Sequence, residues 1–493
     1  MGQFNHDKSS QEQVMIGVES PNNGKLFYNF NLEKKVRKNH PLRKLKEILN
    51  LDFMYGLLKD KYGYNGNVSV PPPVIMKMMI LLFLYNVRSE REMMETIPER
   101  LDWLWFLGYD IDAEVPDHSV LSKARKRWGE DIFQELFNRV VRQAVEAGLV
   151  DGEKIFVDAS LVEADASKNS VKKLDDIKLD EQYQELVKRL DERAEDGVEG
   201  CGKINQEHIS STDPDATITS QSGVRQLSYK VHRSVAARKE IITSCSVTTG
   251  SVNEAHVLEK TIAEHEDTVE KNVKTVVADS KYGTTENYSA LKEKGIKTHI
   301  KDLGASRVRR GDVFGKDKFA YVAERDVYIC PAGKELQRRS WNNNRQWMKY
   351  RIDKEQCASC ELRSQCTNDK NGRSISRLPG DDLITAGRQD AASEEGIKDL
   401  KRRQHLMERS YAYGKRFGYK RARWRELWRV SIQQLLVATV QNLKKMSQYT
   451  NLESKTEGMV ILKGNRLGLL WRNFIYWFQR TLITYKFRFK PEY

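Results

Sequence analysis

Apolar residues recur at helical spacing through the N-terminal third of the chain. Hydrophobic positions three and four residues apart form one face of an amphipathic helix, and Ser, Asp or Pro residues mark helix starts. The predicted helices are Val74–Leu84, Glu90–Ile97, the aromatic segment Leu101–Leu107, and Val120–Trp128, which follows a Pro-Asp-His-Ser turn. This pattern predicts an all-α N-terminal domain over residues 1–150.

Strand-like patterns begin after residue 150, where short apolar runs replace the helical spacing. The predicted strands are Ile155–Asp158, the antiparallel pair Gln226–Arg233 and Ile241–Val247, and Thr275–Ala278. Strands followed by helices predict an α/β fold with a mixed sheet, interrupted by a charged helical excursion at 165–222. Two of the strands end in aspartates, at the sheet edge where such folds place their sites.

Composition favours a folded protein that works in water and binds a polyanion. Hydrophobic residues make up 39% of the 493 positions and charged residues 31%, and no apolar stretch is long enough to predict a membrane span. Six cysteines are too few for a secreted disulfide scaffold, so a cytoplasmic location is predicted. The net charge of +14 favours a nucleic-acid partner, although solubility alone would also explain it.

Three acidic residues, far apart in sequence, are candidates for binding a metal ion. Asp158 and Asp279 end apolar strands, where a carboxylate is costly unless a metal or a hydrogen-bond donor satisfies it. Glu408 lies in a predicted helix, Leu400–Lys415, within the most basic part of the chain. Each acid also has an ordinary explanation: a turn or helix cap for the aspartates, and a surface ion pair for the glutamate.

Several motifs, in this order, resemble those of DDE-type insertion-sequence transposases, and the resemblance covers nearly all of residues 40–446. The segment Pro71–Gly129 is similar to their helical N-terminal module. The segments VDASLVEA around Asp158 and VADSKYG around Asp279 resemble the two aspartate motifs, and MER around Glu408 with the later Lys415 resembles the glutamate helix. Where related enzymes often have a Tyr and an Arg before the glutamate, this chain has Lys401 and Gln404.

The resemblance implies an α/β ribonuclease-H-like catalytic core with an all-α N-terminal domain and a Cys-containing insertion. It implies an enzyme that cuts and joins DNA strands by a two-metal-ion mechanism, with Mg²⁺ or Mn²⁺ held by Asp158, Asp279 and Glu408. The expected partners are the double-stranded DNA of the transposon ends and target and a second copy of the chain, in the bacterial nucleoid. The residues predicted to bind DNA are Lys123, Arg125, Lys126, Arg127, Arg409, Lys415, Arg416, Lys420, Arg421 and Arg423.

Four cysteines are grouped between the second aspartate and the glutamate. They are Cys330, Cys357, Cys360 and Cys366, and the CxxC spacing within this group is that of a zinc half-site. Four thiolates would form a structural zinc site, although reduced cysteines that only pack a small subdomain remain the alternative.

The expected organisation has five parts. They are the N-terminal domain at 1–150, the first part of the core at 151–300, the insertion at 301–395, the glutamate helix and end of the core at 396–450, and a basic aromatic tail at 451–493. Two other functions stay open: a transposase-derived DNA-binding protein without catalysis, and a ribonuclease-H-like nuclease that hydrolyses DNA without joining strands.

Overall fold

The structure of this chain is a computed structural model that describes residues 30–63, 68–178, 181–195, 203–221, 223–301, 313–343 and 346–449. The predicted tail at 451–493 lies outside these residues. None of the helices in the described ranges combines the length and the apolar content that a membrane span requires.

The N-terminal region is built from helices around a continuous apolar core. Its α-helices are α1 (Leu32–Lys35), α2 (Pro41–Ile48), α3 (Phe53–Leu58), α4 (Pro72–Leu84), α5 (Glu90–Thr96), α6 (Leu101–Leu107), α7 (Ser119–Trp128) and α8 (Glu130–Glu146). Large side chains such as Trp103, Phe106 and Trp128 are almost fully buried there. The predicted helix at Leu101–Leu107 has these bounds, and Gly108 ends it in the left-handed conformation that a residue without Cβ adopts freely.

A mixed sheet follows the helical region. Its strands are β1 (Lys154–Glu163), β4 (Thr217–Gln221), β5 (Val224–Ala236), β6 (Ile242–Thr249), β7 (Thr275–Ala278) and β8 (Lys297–Ile300). The order is β6-β5-β1-β7-β8, with β4 beside the first part of β5. Strand β1 is antiparallel to β5 and parallel to β7, which is itself parallel to β8. Helices α12 (Leu258–Val269) and α13 (Thr285–Glu293) connect the later strands.

The charged excursion between β1 and β4 has a small core of its own. Its elements are β2 (Val171–Lys173), α9 (Leu174–Ile177), α10 (Gln184–Glu195), α11 (Lys203–Glu207) and β3 (His208–Ser210). Ile177, Leu190 and Ile209 are buried together there. The predicted excursion is therefore a small folded unit that combines helices with a two-stranded sheet.

The cysteine-containing insertion forms a second sheet. Its elements are β9 (Ala320–Val322), β10 (Val327–Ile329), β11 (Glu335–Asn342), β12 (Trp347–Arg351), α14 (Lys354–Ala358), α15 (Arg363–Cys366) and β13 (Ser374–Arg377). The strand order is β13-β12-β11-β10-β9, and every strand pair is antiparallel. Leu336, Tyr350 and Ile375 form the core beneath this sheet.

Three helices complete the described chain: α16 (Asp381–Ala392), α17 (Glu394–Lys415) and α18 (Leu427–Tyr449). Helix α18 packs against α4, α8 and β6, so the N-terminal helices and the mixed sheet share one apolar core. Polar residues within α18 reinforce this packing: the Asn442 amide group bonds both backbone groups of Ile242 at the start of β6.

Candidate active site

Asp158 lies in the middle of strand β1 rather than at its end. The sequence predicted a strand that stops at this aspartate, but β1 continues to Glu163 because β5 pairs with it through that residue. Asp158 is directly opposite Arg233 of β5, and its side chain is 22% exposed. The carboxylate is thus fixed on a central strand and remains partly open to solvent.

Asp279 follows β7, the parallel neighbour of β1. Phe156 is paired with Val277, so the residues two positions further along, Asp158 and Asp279, fall on the same face of the sheet. One carboxylate oxygen of Asp279 accepts a hydrogen bond from the backbone N–H of Lys281 at 2.9 Å, which caps the turn after the strand. The structure therefore brings the two predicted aspartates together.

Helix α17 crosses this face of the sheet and is anchored to β1. The guanidinium of Arg403 lies 2.9 Å from a carboxylate oxygen of Asp158 and also donates to the carbonyl oxygen of Val157. The hydroxyl of Tyr411, two turns further on, donates to the backbone oxygen of Asp158 at 2.9 Å. At the start of the helix, the carboxylate of Asp399 accepts a hydrogen bond from Lys154 of β1.

Asp158 is largely buried among charged groups of both signs. Burial raises the pKa of its carboxyl group to about 6, with Asp279 and Glu254 raising it further and Arg403 opposing them. An added cation beside Asp158 would stabilise its charged form and oppose this rise in pKa.

Glu408 lies on α17 but does not join the two aspartates. Its side chain is exposed, and one carboxylate oxygen accepts a weak 3.4 Å hydrogen bond from Gln404. Among the described residues, no three His, Cys, Asp or Glu side chains are placed to hold one metal ion together. The expected meeting of three acids is thus not seen in this arrangement, although Glu408 shares its helix with Arg403 and Tyr411.

Glu254 is an acidic neighbour of the site that sequence reasoning missed. It is only 4% exposed, and one of its oxygens lies 2.9 Å from the amino group of Lys281 and 3.6 Å from that of Lys230. Its position before α12 suggests an ordinary helix-capping acid in the sequence. Only the contact of its turn, Glu254–Val257, with the turn after β7, Ser280–Tyr282, places it near Asp158.

The basic helix α7 is divided between solvent and core. Lys123, Lys126 and Arg127 are exposed, as a surface that contacts phosphates requires. Arg125 instead is buried, pairs with Glu90 of α5, and stacks over the ring of Trp424. The prediction that Arg125 binds DNA is therefore wrong for this structure, because its guanidinium is already paired inside the protein.

The cations around and after Glu408, like those of α7, are either exposed or engaged within the protein. Most of those predicted to bind DNA are exposed: Arg409, Lys415, Arg416, Lys420 and Arg421. Arg423 instead donates to the backbone oxygen of Val87 and to the side chain of Asn86. Its guanidinium also lies over the ring of Phe83, so Arg423 joins the N-terminal helices to the core and is not a free DNA contact.

The two arginines that precede Glu408 are also engaged within the protein. Arg402 donates to the backbone oxygen of Ala237, while Arg403 pairs with Asp158. Related enzymes often have a Tyr and an Arg where this chain has Lys401 and Gln404. Neither Arg402 nor Arg403 is free to bind a phosphate in place of that Tyr and Arg.

The four cysteines of the insertion come together. Cys330, Cys357, Cys360 and Cys366 line one small cavity of about 20 Å³, and each is a free thiol. The sulfur of Cys330 accepts a 3.3 Å hydrogen bond from the backbone N–H of Lys334. Burial raises the pKa of the Cys366 thiol, and the other three cysteines contribute to this rise.

Two family models match the chain, one on each side of the aspartate pair. Residues 30–127 match the family described as Transposase domain (DUF772), and residues 329–447 match the family described as Transposase DDE domain. The first match spans the N-terminal helices, and the second includes the cysteines and Glu408. No solved structure matches the chain significantly. With matches to two transposase families on one chain, the comparisons support an insertion-sequence DDE transposase.

Proposed function

We propose that this transposase cuts DNA at the ends of its insertion sequence and joins the freed ends to a target, using Asp158 and Asp279. The observation that carries the proposal is the position of Asp158 on β1 beside Asp279, which directly follows the neighbouring parallel strand β7. Family membership implies DNA binding and dependence on a divalent metal ion. The proposal assigns that dependence to this pair of carboxylates.

We propose further that the mixed sheet is a ribonuclease-H-like core. The order β6-β5-β1-β7-β8 combines an antiparallel half with a parallel half, and the aspartates belong to adjacent strands in its centre. Apolar clusters cover both faces of the sheet. This arrangement supports the fold that the sequence motifs predicted.

The donor atoms at the aspartate pair suit a hard cation. Carboxylate oxygens are the ligands that Mg²⁺ and Mn²⁺ prefer, and a bound cation would oppose the rise in the pKa of Asp158 to about 6 that burial chiefly causes. When bound, such an ion activates water and neutralises charge on the phosphodiester. Asp158 and Asp279 would hold it, with Tyr411 fixing the backbone of Asp158.

Glu408 is proposed as the third acid of the site. Its exposed side chain is free of strong hydrogen bonds, since its bond to Gln404 is long, and its helix is tied to Asp158 through Arg403 and Tyr411. DNA and metal binding would draw this carboxylate toward the aspartates. The exposed cations of α7 and of residues 415–421 would hold the DNA phosphates.

The test compares three variants with one control in a cleavage assay on DNA that flanks the gene. Asp158→Asn, Asp279→Asn and Glu408→Gln are each expected to reduce strand cleavage with Mg²⁺ or Mn²⁺ by at least 1,000-fold while DNA binding is retained. Glu394→Gln changes another exposed glutamate on α17 and should leave cleavage unchanged. Full cleavage by Asp158→Asn would contradict the proposal.

A strand-transfer assay separates this proposal from the two other functions. A transposase joins a 3′-hydroxyl end to target DNA, whereas a nuclease only hydrolyses, and a DNA-binding protein without catalysis does neither. We propose that the protein acts as a homodimer on DNA, because two ends must be cut together. Light scattering of the protein with and without end DNA measures this.

We also propose that the four cysteines of the insertion hold a structural zinc ion. Their convergence on one cavity and the absence of disulfides among the described cysteines support it, since four thiolates form a closed tetrahedral site. The thiols would have to reorient, because they form no complete ligand group as placed. We expect about one zinc ion per chain, which Cys360→Ser should lose and the control Cys245→Ala should keep. If protein prepared without chelators contains no zinc, the proposal is wrong and the four cysteines only pack the subdomain.

A further inference from the structure

We infer that one face of the insertion sheet is a second DNA-binding surface, which contacts the phosphate backbone of duplex DNA. This inference rests on the proposed function, since DNA is the substrate that the transposase would hold. The surface, here called the cationic sheet face, consists of residues that share one side of strands β11, β12 and β13. They are Gln337, Ser340, Asn342, Trp347, Lys349, Arg351, Ser374 and Ser376.

The strand register places these residues on one side. Lys349 is opposite Ser340 on one neighbouring strand and Ser376 on the other, and Arg351 is likewise opposite Gln337 and Ser374. Residues directly opposite each other in antiparallel strands project to the same face of the sheet. The face therefore spans three strands, with two cations on its central strand.

The reverse side of the same strands is buried on β12 and β13, although Arg338 and Trp341 of β11 are exposed there. Tyr350 and Ile375, which alternate with the residues of the cationic sheet face, are 3% and 4% exposed in the core of the insertion. The residues of the cationic sheet face are exposed or half-buried. Since one side of the sheet forms the core, the other is free to bind a partner.

The cationic sheet face is rich in hydrogen-bond donors. Its polar groups are hydroxyls, amides, an indole and two cations, each of which can donate a hydrogen bond. Glu335, at the start of β11 on the same side, is a carboxylate that accepts from Gln337 and pairs with Arg325. Ordinary protein surfaces mix both signs of charge. Phosphate oxygens accept hydrogen bonds and carry negative charge, so a surface rich in donors and cations suits them.

The surrounding charge and shape agree with this partner. The segment 334–354 carries seven Lys or Arg residues against two acids. Lys349 and Arg351 line an open groove of about 370 Å³ together with Arg339 and Lys354. Arg351 is held by Asp369 at 3.5 Å and Arg339 by Asp353, so these acids position cations at the rim of the groove. Lys349 forms no ion pair within the described part of the chain.

Binding of the full-length protein to a fluorescein-labelled 40-bp duplex, measured by anisotropy between 50 and 300 mM KCl without divalent ions, tests the inference. Each lost phosphate contact lowers the slope of log affinity against log salt by about 0.9. Lys349→Gln combined with Arg351→Gln should therefore weaken binding about tenfold at low salt and reduce the slope by about 1.8. Ser376→Glu, which adds one negative charge to the face, should weaken binding as well.

The matched control removes two exposed cations that lie outside the face, Lys318 of the same subdomain and Lys260 of α12. Lys318→Gln combined with Lys260→Gln should leave the slope unchanged. An unchanged slope in the Lys349/Arg351 variant, with its melting temperature intact, overturns the inference, as does an effect confined to single-stranded DNA. Cleavage by Asp158→Asn tests the proposed function separately, because binding is measured here without cleavage.

Discussion

The guanidinium of Arg403 lies 2.9 Å from the carboxylate of Asp158, between helix α17 and the central strand β1. The side chains are 12% and 22% exposed, so this is a largely buried ion pair at the proposed catalytic site. It links the helix that carries Glu408 to the strand that carries the first aspartate. Arg403 thus supplies positive charge to Asp158 when no other cation is bound there.

Replacing Arg403 with Gln should destabilise the metal-free protein. The change leaves a partly buried carboxylate without its nearest cation, at an expected cost of about 1 to 3 kcal/mol. Saturating Mg²⁺ should reduce this loss, because another cation then offsets Asp158. Urea denaturation with and without Mg²⁺ measures both values.

The control for Arg403 is Lys398→Gln, which removes an exposed ion pair with Glu394 on the same helix. Exposed pairs contribute little, so its effect should stay below about 0.5 kcal/mol. An equal loss of stability for Arg403→Gln in both conditions would show that Mg²⁺ does not bind at Asp158.

Two cations on helix α7 should respond differently to substitution. Arg125→Met removes a buried ion pair with Glu90 and should cost about 3 kcal/mol, because it leaves that acid uncompensated. Lys123→Gln, two positions earlier on the exposed side, should weaken DNA binding and leave stability within about 0.5 kcal/mol. Thermal unfolding and anisotropy titrations separate the effects; a stability loss in Lys123→Gln would contradict this division.

Acid should destabilise the protein partly through His232. Burial lowers the pKa of its imidazole to about 3, below the ordinary value of 6.5, so the unfolded chain binds a proton that the folded chain excludes. Its contribution to stability is complete above pH 6.5 and is lost as pH falls toward 3, on the order of 2 kcal/mol by pH 5. His232→Gln should lose less stability between pH 7 and pH 5 than the parent protein in urea titrations.

The His232 experiment compares how the free energy of unfolding changes with pH in the two proteins, not its value at one pH. The imidazole also bonds Thr248 at 2.9 Å, so the variant starts from a lower stability at pH 7. Parallel pH profiles for the two proteins would mean that His232 is not excluded from protonation in the folded state.

Asn442 should be a strong determinant of stability. Its amide accepts from the backbone N–H of Ile242 at 2.9 Å and donates to the carbonyl oxygen of the same residue at 2.8 Å. Asn442→Leu leaves both buried backbone groups without partners and should cost about 2 to 4 kcal/mol in chemical denaturation. Ser447→Ala removes a bond within helix α18 itself and should cost less than about 1 kcal/mol, so equal effects would refute the assignment.

Local patterns predicted many of the elements close to their observed bounds. The segment Thr275–Ala278 is a four-residue buried strand, and the predicted helix at Glu90–Ile97 is observed at Glu90–Thr96. Patterns were less informative where polar residues continue a strand, as in β1 beyond Asp158, because pairing with β5 decides where that strand ends. The predicted domain boundaries stay a prediction, and the N-terminal helices share one core with the sheet.

Candidate site residues were predicted with uneven success for a related reason. Asp158 and Asp279 follow apolar runs, a signal that belongs to each segment alone. Arg125 lies four residues after Leu121 and three before Trp128, so helical spacing places it on the buried face of α7, a signal that the basic composition of the helix concealed. Glu254 gave no such signal, because its importance comes from Lys281, a neighbour 27 positions away in sequence.

The chain's own residue order therefore determined its helices, its short buried strands and the acids that carry the proposed chemistry, since these depend on periodicity and on residue type within a few positions. Tertiary structure decided which charges meet. Arg403 pairs with Asp158, Arg423 joins the N-terminal helices to the core, and Glu408 stays exposed, because such outcomes depend on packing between segments hundreds of residues apart. Electrostatic energies change steeply with distance and burial, and neither quantity is contained in a local sequence pattern.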